Sequence, residues 1–368
     1  MSFPARGAGW ISGLRRGIGI YGLCRTLLMP RQSGVAISFS TLSQGRSGPP
    51  EPEMKDTMVS TQIPGHAISL DIDSAVDDLS GVVKVGDYLL LGNDEGHRLL
   101  VCRSGAQPDT WAIAHSVDVS SAEDETDIEA LTYADGFLYV VGSHSLRRRS
   151  LKPDGMSVRQ NRKRFARIDR QKTRNRLYRI PFDKQSGLLG KPSSINLSKR
   201  LRKDAFLGPF TRIPSKENGI DIEGMAAHQT RLFLGFRGPV LRHNLVPVMV
   251  LDFDRPKRYE LRFVDLQGQG IRDMVSLGDA LLLLTGPVGD APGPFRLWLW
   301  EGRDQLPGID RCARPAALLG DVGVPPGGRA EGLALLKAKG ERVDLLLVID
   351  GVGSQRAQRF SLEIPAQG

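Results

Sequence analysis

DIEGMAAHQTRLFLGF, residues 221–236, decides the fold, because its plan recurs along the chain. A short polar cue opens an apolar strand, a turn follows, and a second, more apolar strand returns. The same order begins at Asp78-Leu79-Ser80-Gly81-Val82, Asp127-Ile128-Glu129-Ala130-Leu131, Gly270-Ile271-Arg272-Asp273-Met274 and Arg329-Ala330-Glu331-Gly332-Leu333. The returning strands fall at Tyr88–Leu91, Phe137–Val141, Leu232–Gly235, Ala280–Leu284 and Val343–Ile349. Gly86-Asp87, Asp135-Gly136, Gly278-Asp279 and Gly340-Glu341 supply four of the turns, since glycine and aspartate accept the positive φ of tight hairpins. Third strands are expected at His97–Arg103, Arg176–Phe182, Val246–Phe253, Phe295–Trp300 and Gln358–Ile364. Measured between Ser80, Glu129, Glu223, Arg272 and Glu331, the spacing is 49, 94, 49 and 59 residues. A four-stranded blade takes about 40–50 residues. The chain therefore predicts an all-β fold, a single β-propeller of five four-stranded blades. A sixth blade is required only if a degenerate unit, rather than an insertion, fills the long gap. Closure of the ring is expected to pair a strand near Ala67–Ile72 with the last sheet, because an open ring leaves an exposed edge.

Composition agrees. Of 368 residues, 40% are hydrophobic and 25% charged, enough for a sizeable core, and 42 Gly and 23 Pro suit short strands and tight turns. The net charge of +9 is localised: residues 147–176 carry 13 Lys or Arg against Asp154 and Asp169, and residues 1–53 carry six Arg against Glu51 and Glu53, leaving the remainder mildly acidic. Basic extensions on an acidic body are a weaker argument for nucleic-acid binding than a basic face. Cys24, Cys102 and Cys312 are isolated, and the six His form no HExxH pair, which excludes a disulfide framework and the common zinc signatures. No stretch reaches the roughly 18 apolar residues of a spanning helix.

Residues 1–53 mix Gly, Ser, Arg and Pro and are expected to form a flexible basic tail ahead of a propeller over 54–368. Arg15-Arg16 invites an export reading, but Arg25 and Arg31 interrupt the apolar stretch that follows. The preferred alternative starts the chain at Met54 or Met58, giving a cytoplasmic monomer, with export to the periplasm as the rival. Residues 146–176 form a basic insertion with a helix over about 156–173; only Phe165 is aromatic between Ser150 and Asn175, so nucleic acid is a minor expectation there.

Propeller geometry turns the repeat into a site. The cue opens the innermost strand of each blade, so Ser80, Glu129, Glu223, Arg272 or Asp273, and Glu331 converge on the axis. The second strand runs back to the same face and delivers Asp94, His144, Arg237 and Asp350. Several carboxylates in reach of each other need a compensating charge, either a hard cation, calcium above all, or a guanidinium. Glu129, Glu223, Glu331 and His144 are the candidate catalytic groups, with Arg237, Arg272, Asp94, Asp350 and Arg147 as ligand-binding groups.

In DIEAL with VVGSHSLRRR, DIEGMA with FLGFRGPVL, GIRDM with LLLTGP, and RAEGLAL, the chain resembles, over about residues 70–362, an uncharacterised and mainly bacterial family defined as a domain of unknown function. That resemblance implies a propeller-like fold and supplies no activity. More distantly, one acid per blade is similar to phytase-esterase-like propellers and to five-bladed calcium-dependent apyrases. The latter likeness implies an axial calcium on Ser80, Glu129, Glu223 and Glu331. Arg272 departs from that pattern, and a guanidinium there could neutralise the carboxylates without an ion. The expected function is hydrolysis of a small anionic ester, phosphorylated or not; the alternative is a non-catalytic propeller that binds a ligand or partner.

Overall fold

A computed structural model describes residues 62–71, 78–93, 96–107, 109–120, 126–310, 314–353 and 356–364. The readings of the tail 1–53, of Met54 and Met58, and of Asp94 lie outside them. Five small sheets form a ring in which each innermost strand packs against the next: Leu79–Val85, Ile128–Ala134, Asp221–His228, Gly270–Leu277 and Arg329–Lys339. This is the five-bladed propeller expected. No helix among the described residues is long and apolar enough to cross a membrane.

The returning strands are the most apolar and are almost wholly buried, as at Leu89–Leu91, Leu281–Leu284 and Leu345–Val348. The four glycine- or aspartate-bearing turns adopt positive φ as the sequence requires. The third blade turns on Gln229-Thr230, at φ of 46° and 65°, a left-handed pair with no glycine to announce it.

The long gap holds no sixth blade. Between the second and third strands of blade 2, Phe137–Gly142 and Leu177–Pro181, the chain inserts the basic segment; after the fourth strand, Ser193–Ile195, it runs through a short helix, Ser198–Lys203, to blade 3. The insertion's own helix spans only Val158–Phe165, shorter than expected. It opens on a capping box between Ser157 and Gln160, and it stops because Ile168–Asp169 instead pairs back on Arg147–Arg148 as a two-stranded ribbon.

Closure is more extensive than one strand. Gln62–Ile63 adds in parallel to the outer edge of blade 4, Gly65–Ala67 pairs antiparallel with the last strand, Ala357–Glu363, and Ser69–Asp71 adds in parallel to blade 1. Ten residues thus lace three consecutive blades along the rim. The closing strand proper is Gly65–Ala67, a few residues ahead of its expected place.

Each innermost strand carries a bulge against its hairpin partner at the same point: between Leu79 and Val82, Ile128 and Ala130, Ile222 and Gly224, Ile271 and Asp273, and Ala330 and Gly332. A bulge inserts one extra residue and re-aims its side chain. The extra residues are Glu129, Glu223, Arg272 and Glu331, with Ser80-Gly81 sharing the role in blade 1. The next position is small where neighbouring strands touch: a Cβ on Gly332 would lie 2.8 Å from the Ser80 carbonyl oxygen, and one on Gly224 2.7 Å from Met274 Cγ. Blade 4 has Asp273 there instead. Wholly buried, its carboxylate accepts from the amides of Met274 at 2.8 Å and Leu333 at 2.7 Å and from that of Met225, tying blades 3, 4 and 5 together. Burial pushes its pKa well above the usual carboxylate range even though all three amides pull the other way.

Candidate functional site in the axial mouth

The bulged residues meet in a cavity of about 450 Å³ at one end of the axis, lined by Ser80, Glu129, Glu223, Arg272 and Glu331 together with Asp221 and Arg237. Along its floor runs a chain of ion pairs. Arg237 holds Asp221 and, through Nη1 at 2.6 Å, Glu223; Arg272 Nη1 lies 3.0 Å from the other Glu223 oxygen and 2.6 Å from Glu331 Oε2. Blades 3, 4 and 5 are thereby joined by charge as well as by Asp273. Glu129 approaches from blade 2, with a carboxylate oxygen within 4.8 Å of oxygens on Asp221 and Glu223.

The floor is over-supplied with acid. Asp221, Glu223 and Glu331 share two guanidinium groups, Arg237 and Arg272, and Glu129 brings a fourth carboxylate beside them. Burial raises the Asp221 pKa to about 7 against the pull of Arg237, with Glu223 adding to the rise. Burial likewise raises Glu331, which Arg272 pulls back down. Arg237 is held above the ordinary guanidinium value: burial opposes its charge, but Asp221, Glu223, Glu331 and Glu129 outweigh that. Donors that are all carboxylate oxygens suit a hard divalent cation at Glu129, Asp221 and Glu223.

Basic side chains line the same mouth: Arg147, Arg148 and Arg149 of the insertion, beside Phe165, and Lys216 and Arg329. Several of these charges are spent internally: Arg148 on Glu217, Arg149 on Asp169 at 2.7 Å, Lys216 on Asp290 at 2.7 Å, and the buried Arg174 on Asp127 at 2.9 Å. Arg147 and Arg329 are exposed and make no side-chain hydrogen bond or ion pair among the described residues.

Most of the expected residues are brought together. Of the expected metal set, Glu129 and Glu223 lie with Asp221 within reach of one ion. Ser80 lines the same mouth but donates its hydroxyl to the Ile128 carbonyl, and the Glu331 carboxylate is held by Arg272. Arg237, Arg272, Arg147 and Asp350 also line the cavity. His144 is not among its lining residues. It sits 6% exposed at φ 57°, with Nδ1 2.7 Å from the Gly142 carbonyl oxygen, and burial lowers its pKa to about 4. Asp221 was missed as a site residue. Its signal was available in the repeated triplets Asp127-Ile128-Glu129 and Asp221-Ile222-Glu223, where the first aspartate of each meets an arginine.

The sequence profile of a family described as a protein of unknown function (DUF3616) matches residues 78–364. No curated protein matches the chain. Among solved structures, similarity extends to the Myxococcus xanthus glutaminyl cyclase, at TM-score 0.43 and 9% identity over 82% of this chain and 97% of that one. A GH43 β-1,3-galactosidase crystallised with galactodeoxynojirimycin gives TM-score 0.43 and 12% identity over 78% and 90%. An exo-β-1,3-galactanase from Phanerochaete chrysosporium gives TM-score 0.43 and 8% identity over 82% and 63%.

Proposed function

The chain belongs to the DUF3616 family of proteins of unknown function, and from its own site chemistry we propose that it hydrolyses a small anionic ester, a phosphoester foremost, in the axial mouth. The observation that supports this reading is the conjunction, in one cavity, of an acid-rich floor and two exposed arginines that make no side-chain hydrogen bond or ion pair among the described residues. Arg147 and Arg329 bind the anionic group and hold it over the floor. A hard divalent cation on Glu129, Asp221 and Glu223, calcium in the first instance, would stabilise charge developing on the ester oxygens. Glu331 moves the proton. Arg272 occupies its Oε2, which leaves Oε1 to take a proton from water or deliver one to the departing oxygen, and its raised pKa brings it closer to neutral pH, where such a group works best. Arg237 and Arg272 position the carboxylates and contact no substrate in this scheme, and no proton transfer is assigned to His144.

The test is a phosphatase and esterase screen of the full chain with calcium, followed by Glu331→Gln, which keeps the hydrogen bond from Arg272 and removes the ionisable group. Hydrolysis should fall at least about 100-fold, with the melting temperature and phosphate binding retained. Activity unchanged in Glu331→Gln would contradict the assignment. A second reading is favoured by the arginines already engaging Asp221, Glu223 and Glu331: a blank screen in which phosphate still raises the melting temperature would make the mouth a binding site without chemistry.

A further inference from the structure

A second cavity, of about 370 Å³, opens beside the mouth, and Arg272, Asp290 and Arg329 line both. Its character is different. Away from those three residues its walls are the loops 287–293 and 324–328 and the side chain of Phe295, with Pro287, Pro292, Val324, Pro325 and Pro326 supplying apolar surface. Glycines at 289, 293, 327 and 328 add no side chain that would fill it. Prolines have no amide hydrogen, so at these positions the walls offer carbon and no hydrogen-bond donor. The Arg272 guanidinium carbon lies 6.0 Å from the centre of the Phe295 ring, which places the boundary between charged mouth and apolar pocket at that pair. A ligand held by Arg329 can therefore present its anionic group to the mouth and the rest of itself to the loops.

We propose that this side cavity takes the apolar organic group of the ligand, so that the preferred substrates are monoesters joining an anionic group to an aryl or short alkyl group rather than polar sugar or nucleoside esters. The inference rests on the reading of the mouth as the site for a small anion. It does not require that the anion be hydrolysed.

The test uses the full chain and calorimetry with inorganic phosphate and methyl-, butyl- and phenylphosphonate, which bind without turnover. Each methylene that enters the pocket should tighten binding about fourfold, and phenylphosphonate should bind more tightly than methylphosphonate. Ala291→Trp, at an exposed position in the loop wall, should fill the pocket and return butyl- and phenylphosphonate to the affinity of methylphosphonate while leaving inorganic phosphate unchanged. Should the tryptophan disturb the loop, Val324→Thr, which adds a hydroxyl to the wall at nearly constant size, should reduce the same gain. Equal affinity for all the probes, binding of none of them, or a gain that survives both substitutions overturns the proposal. The full pattern in a chain that hydrolyses no ester would overturn the enzymatic reading and leave the side cavity standing, whereas hydrolysis without the pattern would do the reverse.

Discussion

Replacing Arg272 by methionine tests whether the mouth is held together by charge. The side chain is 4% exposed and its Nη1 serves two carboxylates, Glu223 at 3.0 Å and Glu331 at 2.6 Å. Methionine fills a similar volume and removes the charge. Glu223 keeps Arg237 at 2.6 Å, whereas Glu331 loses its ion-pair partner. Removing one member of a buried pair costs about 3–5 kcal/mol, because the remaining charge stays buried and uncompensated. For a domain of this size, that lowers the melting temperature by about 5–8 °C. The loss should depend on pH in a definite direction. Burial already raises the Glu331 pKa and Arg272 opposes the rise, so the variant raises it further. A carboxyl group with a folded pKa above its unfolded value costs nothing below the unfolded value of about 4.3. The deficit grows as pH climbs from there toward the folded value. Thermal unfolding followed by circular dichroism at pH 5 and pH 8 should show the larger loss at pH 8, and Arg272→Met with Glu331→Gln should recover most of it. A loss below about 1 kcal/mol at pH 8, or an equal loss at both pH values, would refute the reasoning; the former is the size of an ordinary exposed pair.

Other outcomes follow from the same geometry. Gly332→Ala places a Cβ 2.8 Å from the Ser80 carbonyl oxygen and should destabilise by about 1–3 kcal/mol in chemical denaturation, while the same change at Gly136, which has open space but a φ of 82°, costs only its backbone strain. Arg147→Ala and Arg329→Ala should each weaken phosphate binding by about tenfold, the order expected for one charge-assisted contact, with melting temperatures unchanged; retained affinity in the double variant would place the anion elsewhere. Calcium competes with protons on Asp221, so its affinity should rise with pH up to about 7 and level off above it; pH-independent affinity would remove Asp221 from the site.

The repeat was legible because its hairpins obey strong local rules. Glycine or aspartate at four of the turns and unbroken Leu and Val runs in the second strands mark one unit each. Blade 3 could be counted despite its Gln229-Thr230 turn only because DIEGM repeats the plan of its neighbours. Fourth strands left little trace: Ser193–Ile195 is three residues long, and Thr110–Asp118 is largely exposed, so neither shows a sustained apolar pattern. The lacing of residues 62–71 onto three blades was equally hidden, since two- and three-residue strands carry no periodicity and their partners lie up to about 300 residues away in sequence.

At the site, the convergence of Glu129, Glu223, Arg272 and Glu331 followed from the repeat, but the bulge that aims them did not. A single extra residue in register leaves the hydrophobic pattern around it intact. Arg272 could be recognised as a departure from one acid per blade; that its single Nη1 bridges Glu223 and Glu331 depends on how the bulges of blades 3, 4 and 5 face one another. His144 follows the second strand of blade 2 as Asp350 ends that of blade 5, yet it is buried at a left-handed φ and, unlike Asp350, is not among the residues lining the mouth.

The most direct test of the axial mouth as a cation-assisted site is calcium titration, by calorimetry, into the chelator-treated full chain at pH 8. One calcium should bind per chain, and at 100 times its dissociation constant it should stabilise the fold by about 2.7 kcal/mol. Glu129→Gln and Asp221→Asn should each weaken that binding by at least tenfold. Absence of binding, or binding that neither substitution changes, would contradict the account.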